Sequence, residues 1–334
     1  MKRNDIHEPN EFFEYVRVED SVPPRDRRRL DVALLDMNHD WPNVGHDALA
    51  HVVFEAAQEF ERELLAAGLK IRLLSFDVRR RLMVPEAPNG RFRLYIGTGG
   101  PGHLDPRMND GVSESSQGIN ESADWEAPLF RLFEAIHRDE EAALFAVCHS
   151  FGLLCRWSGI ARAELRPEKS SGMPYNTLTD DAMKHPWFGR FSSRLRDGRM
   201  FRVIDNRLFD LMLENPGHAL PLAAETPDSP AVTMLEFSRD PDGTMPRILG
   251  VNHHPEIIDR EHILAVLDEK RAHGDVSDTW YRERAGTMRE LLNAQNARET
   301  RLTSTYTLIE PLRFQLGKLV QERVADGFAL PTSV

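Results

Sequence analysis

The sequence predicts an α/β fold, a mostly parallel sheet covered by helices on both faces, and three observations carry that prediction. Short apolar runs such as "DVALLDMNHD" (31–40) and "ALFAVC" (143–148) stop at polar or small residues, as strands buried on both faces do. Stretches of good helix formers with apolar residues three and four apart lie between them. The two kinds of segment alternate along the chain, the arrangement that joins parallel strands through crossover helices.

Residues 1–30 read as a polar leader that ends in the basic cluster "RDRRRL" ahead of the first strand at 31–40. "HDALAHVVFEAAQEFERELLAAG" (46–68) is predicted to be helical, with Gly68 where a C-cap glycine belongs. "KIRLLSF" (70–76) and "FRLYIGTGG" (92–100) are two further strands, "WEAPLFRLFEAIHRDEE" (125–141) a helix, and 143–148 the next strand. After residue 258 the amphipathic patterns at 260–274, 278–297 and 309–325 give a C-terminal helical extension over 259–334. Such helices commonly cap a site or join copies of a chain.

Composition narrows the class of function. The 334 residues are 41% hydrophobic and 28% charged, as in ordinary globular domains. No apolar run approaches the roughly 18 residues a membrane helix needs, and the charged N-terminal stretch lacks a signal-peptide core, so a cytoplasmic protein is expected. A net charge of −11 disfavours nonspecific binding to nucleic acid or to acidic membranes. Two cysteines, Cys148 and Cys155, cannot build a disulfide framework.

In an open parallel sheet, ligands collect at the carboxyl ends of the strands. "GTGGPGH" (97–103) and "FAVCHSFG" (145–152) both fall there. Cys148, flanked by the small residues Ala146 and Ser150, fits a nucleophile on a sharp strand-to-helix turn; a buried thiol is the plainer alternative. The glycine loop lacks the lysine and hydroxyl of a phosphate-binding loop. Gly99 and Gly100 would let backbone amides approach a developing oxyanion, with Pro101 stiffening the loop; a simple turn is the alternative. "RILGVNHHPEIID" (247–259) begins as a strand and ends in a histidine pair and a glutamate. In extended chain His254 and Glu256 share one face and His253 takes the other. A carboxylate beside an imidazole fixes its tautomer and stabilises its charged form, as a base acting on a thiol requires. No second His/Cys cluster has ligand spacing, so no metal and no cofactor is expected. Cys155 reads as a core residue, and the arginines at 79–81 as a solvated turn able to attract an acidic substrate.

"YIGTGGPG", "FAVCHSFG" and "GVNHHPE", in this order, resemble the three signature segments of class I glutamine amidotransferase domains. The resemblance covers roughly residues 31–258, and "SGMPYNTLTDDAMKHPWF" (171–188) and "FRVIDNRLFDLML" (201–213) look like the segments that lie between the last two motifs. It implies a flavodoxin-like three-layer sandwich with Cys148 as nucleophile, His254 as base and Glu256 orienting it. It further implies an oxyanion hole from the backbone N–H groups of Gly100 and His149, and substrate contacts at Gly99, Ser150 and Gly152. The implied substrate is a small-molecule amide or acyl compound, glutamine included, and the implied partner a synthetase or a second copy of the chain.

Departures from the family pattern matter. The elbow of that family has glycines where this chain has Ala146 and Ser150, and a substrate-holding glutamine where it has Gly152. The acyl-transfer machinery is expected to be intact, while specificity for glutamine is not implied. Acyl transfer of the homoserine-acyltransferase kind and a binding or regulatory protein without turnover are the alternative readings. The polar insertion at 103–124, next to the glycine loop, is read as a lid, a recognition loop or a solvated excursion.

Overall fold

The computed structural model describes residues 6, 10–40, 44–215, 217, 219–258, 260–274, 276–291 and 293–328. In chain order its first elements are β1 (Phe13–Val18), β2 (Arg29–Asp36), α1 (Val44–Gln58), α2 (Glu61–Ala67), β3 (Lys70–Asp77), β4 (Phe92–Gly97), α3 (Glu126–Arg138), β5 (Ala143–Val147) and α4 (His149–Ser158). Next come β6 (Ala161–Gly172), β7 (Tyr175–Leu178), α5 (Asp180–Lys184), α6 (Phe188–Ser192), β8 (Met200–Arg202), β9 (Asp205–Leu213), β10 (Leu220–Ala224), β11 (Val232–Arg239) and β12 (Pro246–Val251). The chain ends in α7 (Arg260–His273), α8 (Asp278–Leu291), α9 (Ala294–Ser304), a π-helical turn at Thr305–Ile309, and α10 (Glu310–Phe328).

Ten strands form the central sheet in the order β1-β3-β2-β4-β5-β12-β11-β10-β7-β8. From β1 to β12 every neighbouring pair is parallel. The four remaining strands extend this side as an antiparallel wing, and β6 pairs with β9 in a separate two-stranded sheet. The mixed α/β sandwich expected from the sequence is therefore present.

Its parallel strands lack a polar face because both faces are covered. Val32 and Leu34 of β2 pack into one apolar cluster with Leu49, Val52 and Val53 of α1. Ala33 and Leu35 point the other way, into a second cluster with Leu129, Leu132 and Phe133 of α3. The predicted 46–68 helix breaks at Phe60 into α1 and α2, and Gly68 closes α2 with φ 62° and an N–H bonded to Leu64 O and Leu65 O, as a left-handed C-cap should.

Within the 1–30 segment, Phe13–Val18 adds an edge strand beside β3 and buries Phe13 almost completely. The C-terminal helices expected from the sequence are present, and the last of them packs on the sandwich. Leu308, Leu312, Leu316 and Val320 recur every four residues and enter the same cluster as α1. Each such burial contributes about 1.5–3 kcal/mol, enough together to make this helical rod part of the sandwich. By contrast α7 and α8 pack with Ile204 and Ile257 in a third cluster near the carboxyl ends of the strands. No helix among the described residues is long and apolar enough to cross a membrane.

Candidate active site

Strand β5 lies between β4 and β12, with Gly97 opposite Ala146 and Val147 opposite Val251. That register brings the glycine loop, Cys148 and the histidine segment together at one end of the sheet. Cys148 follows β5 directly and precedes the first turn of α4 with φ 50° and ψ −102°, a conformation costly for an L-residue and held only by its surroundings. Those surroundings are explicit: Cys148 N–H donates to Val251 O (2.7 Å), and its carbonyl accepts from Gly152 N–H (3.0 Å).

Ser150, expected from the family resemblance to be a substrate contact, belongs to this scaffold. Its N–H and its hydroxyl both donate to Thr98 O, and its side chain takes the space beside Gly97, where a Cβ would lie 2.6 Å from Ser150 Cβ. Buried in this way, it ties the elbow to the glycine loop and does not line the cavity.

His254 Nδ1 lies 2.8 Å from Glu256 Oε1. The carboxylate is an acceptor, so this bond places a proton on Nδ1. Nε2, on the other side of the ring, is buried. Burial opposes the imidazolium, but the interactions with Glu256 first and then Cys148 outweigh it and hold the His254 pKa well above the ordinary value. His253, just past the end of β12, has Nε2 at 3.3 Å from Thr307 Oγ1 in the π-helical turn. Burial first, then the charges of His254 and Arg207, lower its pKa to about 3, so its ring is neutral.

The glycines of the loop are required for different reasons. A Cβ on Gly100 would lie 2.9 Å from the carbonyl carbon of Met37, while one on Gly99 would meet His254 Cε1 at 3.1 Å. Behind the loop is Arg79, buried rather than solvated. Its Nη1 donates to Met37 O (2.8 Å) and Pro101 O (2.7 Å), and its Nε and Nη2 donate to the Glu121 carboxylate (2.9 and 2.6 Å). Glu121 also accepts from Asn109 Nδ2 and Trp125 Nε1. The 103–124 insertion is thus bound to the glycine loop through a buried charge pair, and Arg79 departs from the solvated reading of the arginine run while Arg80 and Arg81 remain exposed. A buried guanidinium demands such a partner, but nothing in the spacing of the arginine run distinguishes Arg79 from its neighbours.

A cavity of about 620 Å³ opens on Cys148, His149, Gly100, Gly152, Asn252 and His254, within the size range of small-molecule sites. Strand β9 and helix α8 form its outer wall, with Asp205, Arg207, Trp280 and Arg284 among the residues lining it. The His149 N–H is at the first position of α4, where no carbonyl one turn back is available within the helix. Burial, followed by Arg79, His103 and Arg156, drives the His149 pKa well below the ordinary value, leaving that ring uncharged. Cys155 is fully buried, and burial pushes its thiol pKa upward. Among the described residues, no group of three or more His, Cys, Asp or Glu is placed to hold a metal ion.

No family model matches the chain, and no curated protein matches it in sequence. Solved structures do resemble it. A protein designated SMU.1228c is 17% identical, with 87% of this chain and 99% of that one covered and a TM-score of 0.46. A glutamine amidotransferase from Thermotoga maritima is 13% identical over 88% of this chain and 98% of its own, TM-score 0.45. A glutamine amidotransferase from Methylobacillus flagellatus is 14% identical over 89% and 95%, TM-score 0.44.

Proposed function

We propose that the chain is a cysteine-dependent acyl-transfer enzyme, hydrolysing or transferring at an amide or other acyl carbonyl. The observation that carries this reading is the strained Cys148 at the end of β5, facing the same cavity as His254, which follows the neighbouring strand β12 and is paired with Glu256.

Each group has a role. With the Sγ proton resting on His254 Nε2, the thiolate attacks the carbonyl carbon. The carbonyl electrons move onto oxygen, where the Gly100 and His149 N–H groups receive the charge. Collapse of this intermediate breaks the bond to the leaving group, which accepts the proton held on Nε2, and a thioester to Cys148 remains. Water or another acceptor then loses a proton to Nε2 as it adds, and breaking the C–S bond returns the thiolate. Glu256 stays ionised throughout, holding the ring tautomer and stabilising the imidazolium.

The test is hydrolysis of p-nitrophenyl acetate by wild type, Cys148→Ala and His254→Ala. Nitrophenolate release should disappear with Cys148→Ala and fall at least about 100-fold with His254→Ala. Undiminished release by Cys148→Ala would refute the assignment.

A further inference from the structure

We infer that the site accepts an acyl group with an apolar body and that Leu104 is the residue selecting it. The inference rests on the reading of Cys148 as nucleophile and adds the chemistry of the group bound beside it.

Gly152 lies one helical turn after Cys148, where a side chain of α4 would form the wall next to the thiol. It has none, and the room is occupied from outside the helix. A Cβ built on Gly152 would lie 2.7 Å from Leu104 Cδ2 and 3.1 Å from Leu104 Cγ. Leu104 lines the cavity, is only 5% exposed and belongs to the same apolar cluster as Phe151 and Leu211.

The placement of Leu104 is built rather than incidental. Its carbonyl accepts from Arg156 Nη1 at 2.8 Å, and Arg156 is itself paired with Glu126. The preceding His103 donates its N–H to Asn109 Oδ1 (2.7 Å) and packs edge-on against Phe209 at 4.8 Å. Phe209, Leu208 and Leu211 continue the apolar lining along β9.

Packing fixes the side of the nucleophile that Leu104 serves. It lies against Gly152 of α4, the helix whose first residue is the oxyanion donor His149. His254, which protonates the leaving group, comes from the segment after β12. The group against Leu104 is accordingly the acyl part, and an alkyl body packed on Leu104, Leu208, Phe209 and Leu211 would gain burial.

The experiment measures rates of Cys148 alkylation by intact mass, each normalised to iodoacetamide. Chloroacetone and 1-chloro-2-heptanone carry the same reactive group, from which Sγ displaces chloride, on a short and a long alkyl ketone; 6-diazo-5-oxonorleucine presents a glutamine-like head. The long ketone should label at least about 10-fold faster than chloroacetone and faster than the glutamine analogue. Leu104→Ala should change the chain-length ratio several-fold, and Leu104→Met, which conserves volume, should retain it. An absent chain-length preference, one unchanged by Leu104→Ala, or faster labelling by the glutamine analogue would overturn the inference while leaving the nucleophile assignment intact. Failure of iodoacetamide to label Cys148 would instead remove the underlying assignment, and the inference with it.

Discussion

Arg79 and Glu121 form an ion pair with both side chains fully buried, Nη2 to Oε1 at 2.6 Å, and the same guanidinium holds the carbonyls of Met37 and Pro101 on either side of Gly100. One arginine therefore joins the inserted loop, the end of β2 and the proposed oxyanion loop. Glu121→Ala leaves that charge buried without its carboxylate and should cost about 3–5 kcal/mol, read as a lower urea midpoint. The double variant Arg79→Met/Glu121→Leu removes both charges and should cost less. In both, ester turnover should fall further than iodoacetamide labelling of Cys148, because the strut positions Gly100 rather than the thiol.

Gly100→Ala gives a sharper test of the oxyanion loop. Its Cβ would overlap the backbone of Met37, which cannot move aside as a flexible side chain could, so the loop itself must shift. The expected consequence is a fall in kcat of about 10²–10³-fold, the usual effect of losing one oxyanion donor, measured with p-nitrophenyl acetate against unchanged iodoacetamide labelling.

Glu256→Gln should preserve the shape of the pair and remove the charge that stabilises the imidazolium. Turnover is expected to fall by about 10³–10⁴-fold, by analogy with loss of a triad carboxylate. Stability carries the matching sign. A His254 pKa raised on folding contributes stability that is fully present below the unfolded value of about 6.5 and is lost as pH rises through the higher folded value. Urea midpoints of wild type and Glu256→Gln should therefore differ most on the acidic side and converge as His254 deprotonates.

His253 should behave oppositely. With its folded pKa lowered to about 3, the unfolded chain takes up a proton that the folded chain refuses, so stability is lost as pH falls from about 6.5 towards 3. His253→Leu should flatten that part of the stability profile in urea titrations, while leaving ester turnover within a few-fold of wild type.

How much of this was legible in the sequence differs from element to element. The buried runs at 31–40 and 143–148 announce parallel strands because both faces are covered; the pairing of His254 with Glu256 was expected from extended chain, but the strand ends at Val251 and a turn at 255–256 makes the 2.8 Å contact instead. Phe13–Val18 escaped because an edge strand with its half-exposed middle residues reads like polar leader. Ser150 was read by its place beside Cys148, yet its bond to Thr98 depends on a register between β4 and β5 that spacing does not specify. The partnerships of Arg79 with Glu121 and of Leu104 with Gly152 are tertiary, joining positions 42 residues apart in the first case, and local pattern carries no trace of either.

Acid-quenched intact mass, taken within the first turnover of p-nitrophenyl acetate, tests the central claim most directly. The account predicts a single acetyl adduct that maps to Cys148, is absent in Cys148→Ala and forms far more slowly in His254→Ala. Ester turnover without an adduct on Cys148, or an adduct forming equally fast without His254, would contradict it.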